Sequence, residues 1–498
     1  MRRLAIFLCV TVLATTGLVQ MSGSASAAPM RPVDKDGNKI FDDLDRTIEG
    51  KASDTKHDVI VVFSSGSSAT QAAAIRRSLG SFDTTYEYKT IPALAARMTA
   101  GQIHALSQRG STVQIQPDVR MSFEMETARA QFGVDKAVTD FGEDGNNELG
   151  SCPGVRDYCA DDTVVAVLDT GMDKQHVDLD GGKVIGSAMC ADPPCIDNWN
   201  YYGTSTHGTH VGSIVAGEGD GNPAHRGVAP GAGLVSVTVG VDAGANVSAV
   251  DAGLEWILAH RSTYGIDAMN ASIGMPGPSD GTESTSRLIN RAVAEGITTF
   301  VSAGNNGPNA STAGNPGTAK FAISVAAMND TIGSALGVPP GLNLTYFSSR
   351  GPTADGRIKP DIAGPGVDIM AAAPGTYVNG GAHDSYASHS GTSMSSPFTA
   401  GVGALMLDAD SSLASSGIAC PADDVTSECL DGVIDASMTV PLKDKLIATS
   451  VDWGPAGPDN EYGHGRLDAY AAVDSASLLL GTGGPQVPNN SDAESTAA

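Results

Sequence analysis

Little in this 498-residue chain is aromatic and little of it is basic: Phe, Trp and Tyr make up 5%, and 30 Lys and Arg stand against 56 Asp and Glu. The shortage of cations excludes a nucleic-acid binder, which needs clustered positive charge to meet phosphates. The net charge of −26 favours a soluble, self-repelling surface instead. Long apolar runs are also missing. Beyond the opening segment nothing approaches the 18 uninterrupted apolar residues of a membrane span, so the processed chain is expected to have no membrane association. Cysteine is scarce, with seven in all, whereas glycine is plentiful at 60. That much glycine points to tight turns and close packing of elements without reaching the bias of a disordered chain. The length allows a large core and more than one domain.

The opening MRRLAIFLCVTVLATTGLVQ places two arginines before an apolar stretch, and small residues follow through Ala25, Ser26 and Ala27. This is the pattern of a secretory signal, so residues 1–27 are expected to be removed and the protein to be extracellular. Cys9 leaves with them. The six remaining cysteines of an exported chain are expected to pair as near neighbours: Cys152 with Cys159, Cys190 with Cys195, and Cys420 with Cys429, each pair bracketing a polar, turn-rich stretch. Residues 28–54 form an acidic segment containing DKDGNKIFDDLD. Asp34, Asp36, Gly37 and Asp43 fall on ligand or turn positions of an EF-hand loop, but Pro32 takes the first ligand position and the last is Asp. A calcium loop and a solvated acidic turn both remain open there.

Residues 55–125 read as a small α+β unit in the order strand, helix, strand, strand, helix, strand. Its strands include 58–63, 93–98 and 113–118; one helix covers 71–77 and the other starts near Thr99. From 126 to 478 apolar strand runs (164–168, 234–239, 268–274, 297–302) alternate with helical stretches (250–260, 287–295). The expected fold class is therefore α/β: a doubly wound, mostly parallel sheet with helices on both faces, preceded by the small α+β domain. Residues 479–498 turn to Gly, Pro, Asn, Ser and acids, a flexible tail.

Three short stretches carry chemistry. The apolar run 164–168 ends in Asp169-Thr170-Gly171, His207-Gly208-Thr209-His210 opens an apolar helix, and GTSMSSP spans 391–397. Ser393 sits at a helix start, where unpaired N–H groups and the macrodipole can hold an oxyanion; Pro397 is placed in the first turn. A lone serine there would read as an ordinary N-cap. Its company changes the reading, because Asp169, His207 and Ser393 follow one another at intervals of 38 and 186 residues. On these motifs the chain from about Ala130 to about Ala476 resembles the subtilisin-like serine peptidases, or subtilases.

The resemblance implies a secreted endopeptidase that needs no catalytic cofactor. Ser393 would be the nucleophile, His207 its base, Asp169 the imidazole's anchor and Asn305 the oxyanion donor. Ser272, Ile273 and Gly274 would pair with substrate backbone, and Gly314 would lie at the bottom of the S1 pocket, leaving room for a large side chain. Asp178 matches a calcium-ligand position, and Asp220 and Asn222 offer further oxygens, with a solvated acidic loop as the alternative. The 55–125 unit resembles an inhibitory propeptide, so the partners implied are protein or peptide substrates and the chain's own propeptide, in a monomer. The mature N-terminus is expected between about Ser122 and Gln131. Ser395 stands where these peptidases usually have Ala; a hydroxyl in the first helical turn can cap locally, so little change in chemistry is expected. An inert binding protein on the same scaffold is the competing reading; the intact Asp169, His207, Ser393 and Asn305 argue against it.

Overall fold

The computed structural model describes residues 37–40, 42–87, 93–117, 125–146, 158–159, 162–198, 205–241, 244–329, 343–375, 383–414 and 440–477. Two compact units divide the chain, one up to Arg120 and one from Met121 onward.

The first unit contains α1 (Asp42–Ile48), β1 (Lys56–Phe63), α2 (Ser68–Leu79), β2 (Asp83–Glu87), β3 (Ala93–Thr99), α3 (Ala100–Ser107) and β4 (Thr112–Pro117). Its four strands lie in the order β2-β3-β1-β4 with every pairing antiparallel. Alternate residues of β1, Val59, Val61 and Phe63, are buried, as a one-sided sheet requires. Both longer helices start on side-chain caps. Ser67 accepts from the Thr70 N–H, and Thr99 and Gln102 form a capping box. The acidic segment belongs to this unit rather than standing apart from it, because Ile40, Leu44 and Ile48 enter the same core as Val61, Met98 and Ile115. The turn before α1 is organised by Asn38, whose Oδ1 accepts from Ile40 N at 2.7 Å while its Nδ2 donates to Asp45 at 2.9 Å. Asp34 and Asp36 lie outside the described residues.

The second unit opens with α4 (Met125–Gln131) and α5 (Val134–Phe141). It continues through β5 (Val164–Asp169), β6 (Val184–Met189), β7 (Ile196–Asp197), α6 (His207–Ala216), β8 (Gly233–Thr238), α7 (Val247–Tyr264), β9 (Ile266–Ala271), α8 (Ser284–Ala294), β10 (Thr298–Ser302), β11 (Ile323–Met328) and β12 (Ile362–Pro365). A hairpin, β13 (Ile369–Ala373) and β14 (Ser385–His389), leads into α9 (Thr392–Ala409), followed by α10 (Pro441–Ala448) and α11 (Ala469–Ser477). The sheet runs β12-β11-β10-β9-β5-β8-β6-β7, parallel except at β7. β5 is buried along its whole length and divides two cores. Val165 and Val167 point to the side packed by α6 and α9, whereas Val164, Ala166 and Leu168 point to α7 and α8. Because β5 lies between β8 and β9, chain excursions leave it in opposite directions, and a crevice opens at the carboxyl ends of these strands.

One expectation about an element needs correction. Pro397 lies in the second turn of α9, since the helix begins at Thr392 and not beside the proline. The remaining expected elements lie within a few residues of the observed ones, except that β9 ends at Ala271, so Ser272, Ile273 and Gly274 continue past the strand.

Candidate active site

Each chemical group arrives on the end of a buried element. Asp169 closes β5 and is 1% exposed. Its Oδ1 receives the Thr170 N–H at 2.7 Å and His207 Nδ1 at 2.8 Å. His207 is the first residue of α6, and that helix start is clamped to the same loop because the Gly208 N–H donates to Thr170 Oγ1 at 2.9 Å. The imidazole is therefore held by a buried carboxylate at Nδ1, an arrangement that fixes its orientation. Thr170, which the sequence reading passed over, is thus part of the assembly; its place directly after the strand-ending aspartate was the available signal.

Three residues along α6, His210 has a different part. Burial and the neighbouring His389 push its imidazole down to about 3, and its Nε2 meets the carbonyls of Ile369 and Ala387, each at 3.0 Å. It remains neutral and ties α6 to the β13–β14 hairpin.

Ser393 is the second residue of α9. Its hydroxyl donates to the Ser272 carbonyl at 3.4 Å. Asn305 follows β10 and is fixed by Thr392, whose N–H and Oγ1–H both donate to Asn305 Oδ1, at 2.9 and 3.0 Å. The amide Nδ2 is thereby aimed away from Thr392. A Cβ placed on Gly391 would lie 3.5 Å from Asn305 Nδ2 and 3.6 Å from Ser393 N, so both donors border one small space beside the serine. Two N–H donors converging at a helix N-terminus can stabilise a developing oxyanion. Thr392 is a second residue that sequence reasoning missed.

A cavity of about 450 Å³ is bordered by Asp169, His207, Ser272, Ile273, Gly274 and Asn315 among others, and Ser393 is tied to it through its bond to the Ser272 carbonyl. Gly314 does not line it. A Cβ at that position would come within 1.9 Å of the Met275 carbonyl, so its glycine serves a close backbone approach and not pocket volume. Ser395 does not use the local cap open to its hydroxyl. Its Oγ has no hydrogen-bond partner among the described residues and makes no cap; it is wedged against Gly366, where a Cβ would approach it to 2.2 Å.

Of the residues proposed for calcium, Asp178 and Asn222 are engaged with groups of the protein itself. Both Asp178 oxygens face donors, Oδ1 the Gly221 N–H at 3.0 Å and Oδ2 the Tyr386 hydroxyl at 2.9 Å. Asp220 is exposed, and Asn222 Oδ1 caps a short helix through Ala224 N at 3.1 Å. Among the described residues no cluster of three or more His, Cys, Asp or Glu could hold a metal. Of the expected disulfides, Cys190–Cys195 is formed. Cys159 is disulfide-bonded, while Cys152, Cys420 and Cys429 lie outside the described residues.

Residues 160–465 match the profile of the Subtilase family, more than half of the chain. The chain belongs to the subtilase family. Residues 35–102 match the Tk-SP N-propeptide domain, which overlaps the acidic segment as well as the small α+β unit. Serine protease AprX of Bacillus subtilis is 35% identical over 258 residues, covering 49% of this chain and 56% of that protein. Subtilisin E of the same species is 32% identical over 253 residues, covering 50% and 56%. This subtilase thus spans little more than half the length of these two relatives. The crystal structure of fervidolysin from Fervidobacterium pennivorans, a keratinolytic enzyme related to subtilisin, aligns with 84% of this chain and 61% of its own. The identity is 22% and the TM-score 0.48.

Proposed function

We propose that the chain is a secreted serine endopeptidase, made as a zymogen that processes itself. The observation that carries this is the buried Asp169 carboxylate on His207 Nδ1 at 2.8 Å, set in the same cleft as Ser272, whose carbonyl holds the Ser393 hydroxyl. In the proposed reaction the Ser393 side chain turns from Ser272 to His207, which takes its proton as the oxygen attacks a peptide carbonyl. His207 then returns that proton to the leaving amine. Asp169 keeps the imidazole in the Nδ1–H tautomer, and Asn305 Nδ2 with the Ser393 N–H receives the oxyanion. Turning away also frees the Ser272 carbonyl for a substrate N–H, so Ser272, Ile273 and Gly274 can pair with extended substrate backbone. The chemistry uses side chains and backbone alone.

A fluorophosphonate probe tests the reading, because it bonds only to an activated serine. Labelling at Ser393 that disappears in His207→Ala is expected; a processed protein that takes no label would be an inert scaffold. The same cleft sets the preferred residue before the cut. Among the described residues Ile273, Met275, Val239 and Val250 line it, and the one carboxylate they place there is Asp169, already engaged by His207. Phe, Tyr, Leu or Met should precede the cleaved bond in a peptide library, and a profile dominated by Lys and Arg would overturn this.

A further inference from the structure

The carbonyl of the nucleophile's own residue has an unusual donor. Inside an α-helix the Ser393 C=O would be met by the N–H of residue 397, but that residue is proline and has none. The Ser272 hydroxyl reaches it instead, donating to Ser393 O at 3.0 Å. Behind Ser272 stands Asn270, two residues back on the same face of the chain, whose Nδ2 donates to Ser272 Oγ at 2.9 Å. Asn270 Oδ1 in turn accepts from the Ser396 hydroxyl at 2.6 Å. The bonds leave α9 at Ser396, pass through Asn270 and Ser272, and return to the helix at Ser393.

Donor and acceptor roles fix the direction of this loop. A hydroxyl has one proton and an amide has one acceptor oxygen and one donor nitrogen. With Asn270 Oδ1 bonded to Ser396, its Nδ2 must serve Ser272, and Ser272 has only its own proton left to give to Ser393. Asn270 and Ser396 are 0% exposed and Ser272 4%, so water offers no ready substitute. Nothing in the assignment of the triad or the oxyanion donors calls on Asn270, Ser396 or the Ser272 hydroxyl.

We infer that Asn270 and the Ser272 hydroxyl are positioning residues for the nucleophile, supplying from β9 the bond that Pro397 denies to α9. They pin the Ser393 carbonyl and so the orientation of the residue that carries both the attacking hydroxyl and an oxyanion-facing N–H. The proline has a use here. A carbonyl bonded along its own helix would follow the helix axis, whereas one held from β9 is fixed relative to the strand that would receive substrate.

The inference rests on Ser393 being the nucleophile, and the experiment separates the two. Fluorophosphonate labelling rates, peptide kcat and KM, and near-ultraviolet circular dichroism are measured on purified wild type, Ser272→Ala, Asn270→Ser, Pro397→Ala and Ser272→Ala/Pro397→Ala. Ser272→Ala should label about tenfold more slowly and lose kcat at constant KM, roughly the effect of one neutral hydrogen bond made at the transition state. Asn270→Ser should lose kcat in the same way. Pro397→Ala restores a backbone N–H opposite the Ser393 carbonyl, so the double variant should regain most of the rate that Ser272→Ala loses. Wild-type labelling rates in a folded Ser272→Ala, or a double variant no faster than the single, would overturn the inference. So would rates that fall only in step with the folded fraction in every variant. If wild type takes no label, the peptidase reading fails instead.

Discussion

At the scale of single residues, two side chains tell most about where this sequence departs from an easy solution. Ser395 Oγ is fully buried without a partner among the described residues, next to the residue that would attack substrate. An unbonded buried hydroxyl costs about 1–3 kcal/mol, and the site already excludes a larger group because Gly366 is in contact. Ser395→Ala should therefore stabilise the protein by about 1 kcal/mol and leave its folded-state contacts intact, read as a higher urea midpoint at constant slope. Tyr386 is the opposite case. Its hydroxyl satisfies the Asp178 carboxylate, and burial together with that carboxylate raises the phenol above its ordinary range. Tyr386→Phe removes a hydrogen bond to a charged group and should destabilise by about 1.5–3 kcal/mol. Added calcium should not restore the loss. A thermal midpoint that returned to the wild-type value with millimolar calcium would mean that Asp178 takes the ion after all.

At the scale of elements, the sequence was most readable where burial is complete. The runs that became β5, β8 and β10 are buried along their whole length because helices cover both faces of the sheet, and their apolar and β-branched residues leave little choice of element. The β13–β14 hairpin was not legible. Apart from Ile369, Met370 and Tyr386 its residues are small or polar, β14 is only partly buried, and His210 bonds to Ile369 and Ala387 across more than 150 residues of sequence. The turn of α9 that holds Pro397 was misplaced for a related reason. A proline in a second turn is unfavourable locally, and the Ser393 carbonyl that it leaves without a helical donor is met by the distant Ser272 hydroxyl. The far end of α9 carries a pH effect of its own. Asp408 accepts the N–H groups of Gly145 at 2.8 Å and Asp144 at 3.2 Å; burial, reinforced by Glu143 and Asp144, pushes its carboxyl up to about 7. A raised carboxyl binds more protons folded than unfolded between about pH 4 and 7, so its contribution to stability falls as pH rises through that window. Asp408→Asn, made in a Ser393→Ala background to prevent self-digestion, should flatten that slope and gain most above pH 7. Urea midpoints at pH 5 and pH 8 measure it; an unchanged difference between them would count against Asp408 as the source.

At the scale of the whole molecule, two units with different tasks share one chain. The propeptide match ends at residue 102 and the subtilase match begins at 160, and the compact units divide after Arg120. On the proposed zymogen reading, self-cleavage should fall in the stretch around that division. Its far limit is set by α4. Arg129 on this helix is 6% exposed, its guanidinium bonds to the carbonyls of Gly227 and Val228, and its Nε meets Asp135 at 2.7 Å. A chain end inside α4 would release those bonds from a buried cation, so the cut should fall ahead of Met125, at the early end of the 122–131 window. Met121 and Phe123 are the large apolar side chains available there, and the mature N-terminus should follow one of them in Edman sequencing. Ser393→Ala removes the attacking oxygen and leaves the buried face of α9 as it is. That variant should accumulate at precursor size with both units folded, whereas wild type should appear trimmed. Trimming of Ser393→Ala in a protease-free expression system would show that another enzyme makes the cut, and the zymogen reading would fall while the triad's geometry stood.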